Sequence, residues 1–435
     1  MPELITRSLA PGVDGCFLSN ARFKTFRASV NFVLPLGGET VSANAFLPFL
    51  LGRACRRYPD FTALNLRLNE LYGAALTAEA AKMGDAQIIR LSVVGLEDRF
   101  APGDEKILAA CGELLRDLVF DPPLAGGRFE ERALLSERRL FLDRLNAEIN
   151  DKRRYAISRC EGVMCENEPY GIPKYGGRAD AEKLDSAAMV EAWRRALERS
   201  RVRIGVVGQT KPDALFDLFA QGFARETRCV PELPQVADVV PRDVREVTEH
   251  MAVQQGKLAM GFRSGAALPH GDVVAAAVMA DLFGGGPYSK LFKNVREKLS
   301  LCYYCAARYN RRKGLLLVDS GVEEQNAAPA KEEILRQLAA LGAGDFGDEE
   351  LAASKLALAD AARTVSDTMV GLDSWYTDRM FDEYPLSPEE YAAAVEGVTR
   401  ERVVEAAKRV ALDTVYLLCP SEARPLKGNA GEESV

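Results

Sequence analysis

The chain is written twice. FRASVNFVL, Phe26–Leu34, alternates apolar and mostly polar residues as a half-buried strand does, and Leu258, Met260 and Phe262 repeat that alternation in the second half. Each strand precedes a short loop and an apolar helical stretch, Ala45–Cys55 in the first half and Val273–Phe283 in the second. A second amphipathic segment follows. Leu64, Leu68 and Glu70 stand at one constant offset from Leu291, Val295 and Glu297, and both segments run into a strand, Ala74–Ala80 and Leu301–Tyr309. Farther on, MVEAWRRAL leading into RVRIGVVG (Met189–Gly208) is echoed by VVEAAKRVAL leading into DTVYLLCP (Val403–Pro420). Three echoes in the same order indicate a duplicated unit of about half the chain.

The 435 residues suffice for two domains, each with its own core. Strands and long helices mix without regular βαβ alternation, so the expected class is α+β: tandem sandwiches, each a mostly antiparallel sheet covered by helices. The expected division is 1–228 and 243–420. A Pro-rich linker at 229–242 joins them, and a polar tail, 421–435, follows.

A formal charge of −7 argues against a nucleic-acid partner, whose phosphates attract a basic face. No run of about 18 apolar residues is present to span a membrane. The start, MPELITRSLAPGVDG, lacks a basic-then-apolar pattern, so the expected location is cytoplasmic, with the nine cysteines reduced. Two cysteine pairs are close in sequence, Cys160/Cys165 and Cys302/Cys305. The second lies in a strand-like run, where positions three apart face opposite sides, so packing is the expected role of both. The two histidines, His250 and His270, are too far apart for a helical zinc pair and are read as surface or packing residues.

One stretch is unusual: GGGPYSKLFKNVREKLSLCYY, Gly284–Tyr304. It is no phosphate-binding loop, because GxxxxGK[ST] is absent, and the plainer use of the three glycines is a backbone turn between two helices, where Gly tolerates positive φ. Lys290, Lys293, Arg296 and Lys298 make the next helix basic, which reads as a solvated face. Arg296 and Tyr303 are either a surface arginine and a packing tyrosine or a pair aimed at substrate.

The stretch resembles the second-domain signature of the pitrilysin/insulinase-type zinc metallopeptidases, the group of mitochondrial processing peptidase. The residues that carry the resemblance are Gly284, Gly285, Gly286, Ser289, Lys290, Leu291, Phe292, Arg296, Glu297, Lys298, Leu301 and Tyr303. EPYGIPKYG, Glu168–Gly176, is similar to a further family motif, and the duplication fits as well. The resemblance implies the metallopeptidase-like fold of that family. It also implies that an Arg and a Tyr of the second domain, here Arg296 and Tyr303, reach a zinc centre to hold substrate and stabilise an oxyanion, with Tyr304 facing the other way.

The chain departs from the family at the zinc motif. Where HxxEH is expected on the helix after the first strand, Ala45, Pro48 and Phe49 stand, and none offers a lone pair or a base. Pro48 is expected to shift or shorten the helix start. The third ligand of the family would fall near Asp143-Arg144. Hence no cofactor is expected in this chain, and zinc only in a partner. The family implies that partner: a homologous subunit bearing HxxEH, with peptide as substrate. The strand YGAALTAEAAK, with Ala74, Ala75, Leu76 and Thr77, corresponds to the one that pairs with extended peptide in active relatives; as a sequence it reads equally as an internal strand. The alternative is a structural or peptide-binding pseudopeptidase, possibly homodimeric, like the core subunits of the cytochrome bc complex.

Overall fold

The computed structural model describes residues 4–233 and 243–421, so 234–242 of the expected linker and 422–435 of the expected tail lie outside the described residues. Two sheets organise the chain. The first contains β1 (Leu4–Ala10), β2 (Val13–Ser19), β3 (Thr25–Pro35), β4 (Ala75–Met83), β5 (Ala86–Leu96) and β8 (Arg201–Gly208), in the order β1-β2-β8-β3-β5-β4. A two-stranded hairpin, β6 (Leu124–Ala125) and β7 (Arg128–Phe129), stands apart. The second sheet contains β9 (Arg245–Met251), β10 (Gly256–Arg263), β11 (Cys302–Asn310), β12 (Leu315–Val322) and β13 (Ala411–Pro420), in the order β11-β12-β10-β13-β9. Each sheet has one parallel junction, β2 with β8 and β13 with β9; the other pairings are antiparallel. The expected α+β class is the observed one.

The first half carries helices α1 (Val41–Leu51), α2 (Phe61–Glu70), α3 (Ile107–Phe120), α4 (Glu131–Asn150), α5 (Lys152–Met164), α6 (Arg178–Glu182), α7 (Ser186–Arg199) and α8 (Asp213–Phe223). The second carries α9 (Val273–Gly284), α10 (Ala327–Gly342), α11 (Asp348–Thr364), α12 (Met369–Asp378), α13 (Pro388–Glu396) and α14 (Arg400–Lys408), with a π-helix at Leu291–Lys298. Each half packs an apolar core between its sheet and its own helices.

The opposite face of each sheet is covered by a helix from the other half. The first-half helix α5 packs Ala156 and Cys160 on Ala259, Tyr416 and Leu418 of the second sheet. The second-half helix α12 packs Leu372 and Tyr376 on Leu18 and Val207 of the first. The alternation in Phe26–Leu34 therefore does not mark a half-buried strand: all nine residues are buried, the polar ones included. Asp373 of α12 makes that burial tolerable. It accepts hydrogen bonds from Arg27 at 3.0 Å, Ser29 at 3.0 Å and Arg203 at 2.9 Å. A charge taken out of water is tolerated when paired and hydrogen-bonded in this way.

The second junction is also ionic. Lys313, in the β11–β12 turn, is buried and lies 3.0 Å from Asp85 in the β4–β5 turn and 2.8 Å from Glu168. Arg263 binds Glu168 at 2.6 Å and Asp413 at 3.1 Å. EPYG thus places its acid inside the junction, and Tyr170 of the same motif takes a 3.0 Å hydrogen bond from Asn310. Among the described residues, no helix is long and apolar enough to cross a membrane.

Candidate functional site

α1 starts at Val41 and runs through Pro48 to Leu51, contrary to the expectation that Pro48 shortens its start. Proline inside a helix forfeits one i→i−4 bond, and here the surrounding core carries the helix past it. Ala45, Phe46, Leu47 and Pro48 are buried, and Phe49 is half-buried. The facing surface is α4. The Phe141 ring lies 5.3 Å from Phe46, 6.0 Å from Phe49 and 5.7 Å from Tyr175, centroid to centroid. The Arg144 guanidinium covers the Phe49 ring at 4.4 Å, while Asp143 is exposed. Aromatic rings with a cation on top therefore occupy the place where the resemblance puts the zinc motif. These residues do not fit a zinc ion, which needs imidazole, thiolate or carboxylate donors.

The other expected site is assembled. Arg296, Glu297, Ser300, Leu301, Cys302, Tyr303, Glu323 and Asn326 line one cavity of about 390 Å³. Arg296 sits in the π-helix, whose wider turns are frequent at functional sites; Leu299 N–H bonds the Asn294 carbonyl five residues back. Arg296 lies over the Phe292 ring at 4.5 Å and 3.5 Å from Glu297. Ser300 then takes a φ of +49°, unusual for a side-chain-bearing residue, and turns the chain into β11. Tyr303 is 60% exposed and donates to the Glu323 carboxylate at 3.1 Å. That bond holds the phenol proton, so the Tyr303 pKa is raised above its ordinary value.

The ladder explains how Tyr303 comes to stand out. Cys302 pairs with Val322 and Tyr304 with Gly321, leaving Tyr303 as an extra residue in a β-bulge. The bulge corrects one expectation: Cys302 and Cys305 do not face opposite sides but join the same core cluster. Their thiols interact. The hydrogen bond from Cys305, aided by Ser320 and Arg296 against the effect of burial, lowers Cys302 to about 7. Cys160 and Cys165 are buried, and burial pushes both thiols up. Tyr304 lies beneath Arg153 at 4.3 Å, and burial pushes its phenol up to about 12. His250 and His270 are exposed.

Two further expectations change. Gly284–Gly286 do not have positive φ. They are small because of close approach: a Cβ on Gly284 would lie 2.5 Å from the Ala307 nitrogen, and one on Gly285 2.0 Å from the Asp281 carboxylate. The basic helix face is not wholly solvated either, because Lys290 and Lys293 both reach Glu350, at 3.6 and 2.9 Å.

β4 is an edge strand, as peptide addition requires. Ala75 and Thr77 are exposed and Leu76 is half-buried, whereas Ala74 is buried and precedes the strand. At the offset that relates Leu64 to Leu291, Asn69 and Leu76 are the first-half counterparts of Arg296 and Tyr303, so the pair exists in the second half alone. The spacing gave no sign of Glu323 or of the bulge.

Comparison with known proteins identifies the family. The family profile described as "Peptidase M16 inactive domain" matches residues 183–358. "Probable inactive metalloprotease YmfF" of Bacillus subtilis (strain 168) is 30% identical over 411 residues, covering 94% of this chain and 96% of its own length. The chain belongs to the M16 peptidase family. Both matches are to members described as inactive, and the resemblance puts Ala45, Pro48 and Phe49 at the metal-binding positions of the family. The M16 architecture extends over nearly the whole chain. A conserved protein from Enterococcus faecalis V583 is 26% identical, with a TM-score of 0.89 over 96% of this chain and 99% of its own. The M16 inactive domain from Pseudomonas fluorescens, 16% identical, gives a TM-score of 0.79 over 96% of this chain and 98% of its own.

Proposed function

We infer that this chain is the non-catalytic, Arg/Tyr-bearing subunit of a heterodimeric zinc metalloendopeptidase that processes peptides in the cytoplasm. The observation that carries the reading is the contrast between the halves. Arg296 and Tyr303 share an open cavity, while at the zinc-motif positions Ala45 and Pro48 are buried and Phe49 packs in an aromatic cluster. A guanidinium and a phenol are fixed donors suited to a carbonyl oxygen that becomes negative during hydrolysis. In this reading zinc and the general base belong to a homologous HxxEH subunit. Arg296 and Tyr303 bind the substrate backbone, and the β4 edge, Ala75 to Thr77, offers a further strand-pairing surface. Arg296→Ala and Tyr303→Phe are expected to cut the peptidase activity of the purified heterodimer by about 10²-fold or more while assembly persists. Full activity after both changes refutes the role.

One observation favours a second reading, a pseudopeptidase that binds peptide without cleaving it. Both donors are already engaged by acids of this chain, Tyr303 by Glu323 and Arg296 by Glu297. A homodimer with no zinc-bearing partner is the expectation that separates this reading from the first.

A further inference from the structure

A second cavity, of about 1230 Å³, opens between the two halves and shares no lining residue with the Arg296 cavity. Met83, Val273, Val274, Ala277, Met380 and Phe381 give it an apolar wall. Its floor contains an unbalanced charge. Arg311, Arg312 and Arg379 converge on two carboxylates, Asp378 and Asp382. Arg311 takes Asp382 at 2.7 Å and the Asp378 carboxylate through two nitrogens, and Arg312 takes Asp378 at 3.1 Å. Arg379 is left with Asp378 at 3.7 Å, beyond hydrogen-bond length, and with one 3.4 Å bond to the Trp375 carbonyl. Two acids thus serve three guanidiniums.

Arg379 is also only 6% exposed. Its flat face is occupied, with Trp375 at 3.3 Å and Tyr391 at 5.6 Å from the ring centroids. Its edge, which carries the donors, is mostly unanswered by the described residues. Burial, with Arg311 beside it, lowers its pKa to about 10 against the opposing effect of Asp378 and Asp382. Arg308 lines the same cavity, is exposed, and forms no ion pair among the described residues. The other lining acids do not supply the deficit: Asp281 accepts from Tyr288 at 2.7 Å, and Glu232 and Glu383 form no ion pair with these arginines.

We propose that this cleft binds a carboxylate carried on an apolar chain. Arg379 takes the carboxylate edge-on, Arg308 makes the second contact, and the apolar body lies along Met83, Val273 and Met380. A planar guanidinium suits a carboxylate in this geometry, and the apolar wall suits a body that cannot hydrogen-bond. Two sources share this chemistry, a free fatty acid and the C-terminus of an apolar peptide.

Trp375, stacked under Arg379 and one of two tryptophans in the chain, supplies the readout. Its emission would be followed while the full-length protein is titrated with octanoate, octanol, N-acetyl-trileucine and the amide of that peptide. The two acids are expected to give saturable changes and the two neutral probes none. Arg308→Gln, on the surface, is expected to weaken acid binding roughly tenfold without changing the melting curve, and Arg379→Met to abolish it. Tighter binding of the peptide acid assigns the site to chain termini, and tighter octanoate assigns it to fatty acids. Equal responses to acids and neutral analogues, no saturation by about 10 mM, or wild-type affinity in Arg308→Gln with Arg379→Met overturns the proposal.

Discussion

The Tyr303 hydroxyl donates to the Glu323 carboxylate at 3.1 Å, across the mouth of the cavity that also contains Arg296. Glu323 is thus a positioning residue for the phenol, and the bond raises the Tyr303 pKa. Glu323→Gln is expected to move the Tyr303 titration downward. Ultraviolet difference titration of Glu323→Gln, with Tyr303→Phe as the blank, reads the shift. An unmoved curve means that the contact does not exist in solution.

Cys302 is the thiol expected to react earliest as pH rises. The Cys305 hydrogen bond, with Ser320 and Arg296, lowers it to about 7, while Cys160 and Cys165 are raised by burial. A lowered pKa means thiolate above that value, so iodoacetamide labelling of Cys302 should rise with a midpoint near pH 7. Peptide mapping separates it from exposed Cys229. Labelling of Cys302 that begins only above pH 9 contradicts the assignment.

Asp373 fastens α12 to the first sheet. Arg203, Arg90 and Arg27 outweigh the opposing effect of burial and depress its pKa. A depressed carboxyl contributes stability that is complete above its unfolded value of about 4 and is lost as pH falls through the lower folded value. Asp373→Asn leaves Arg27 and Arg203 buried without their counter-ion. It is expected to cost about 3–5 kcal/mol in urea unfolding at pH 7. The mutant should also lose much of the wild-type response to acid below about pH 4.

How much of this was legible in sequence depends on range. The strand at Phe26–Leu34 rests on a local pattern and appears in the structure, as β3, at nearly the expected bounds. The helix exchange does not rest on a local pattern. Arg27 and Asp373 are 346 residues apart, and neither half signals that the other covers its sheet, so a strand buried on both faces reads as half-buried. The bulge at Tyr303 was hidden for a different reason. One extra residue inverts the facing of Cys302 and leaves hydrophobic spacing nearly unchanged.

Phe141 joins α4 to the degenerate motif through Phe46, Phe49 and Tyr175. Phe141→Ala should cost about 3–5 kcal/mol, because a dry aromatic cavity is left behind. Placing histidine at 45 and 49 and glutamate at 48 is expected to destabilise the core rather than create a zinc site. Calorimetry with and without zinc reads both outcomes; a melting temperature that rises with zinc in that triple mutant contradicts the packing account.

The central claim concerns a partner. The most direct measurement is affinity capture of the tagged chain from its own cells at native level, with retained proteins identified by mass spectrometry. The account predicts a stoichiometric, similar-sized M16 chain containing HxxEH. Recovery of this chain alone contradicts it and leaves the pseudopeptidase reading in its place.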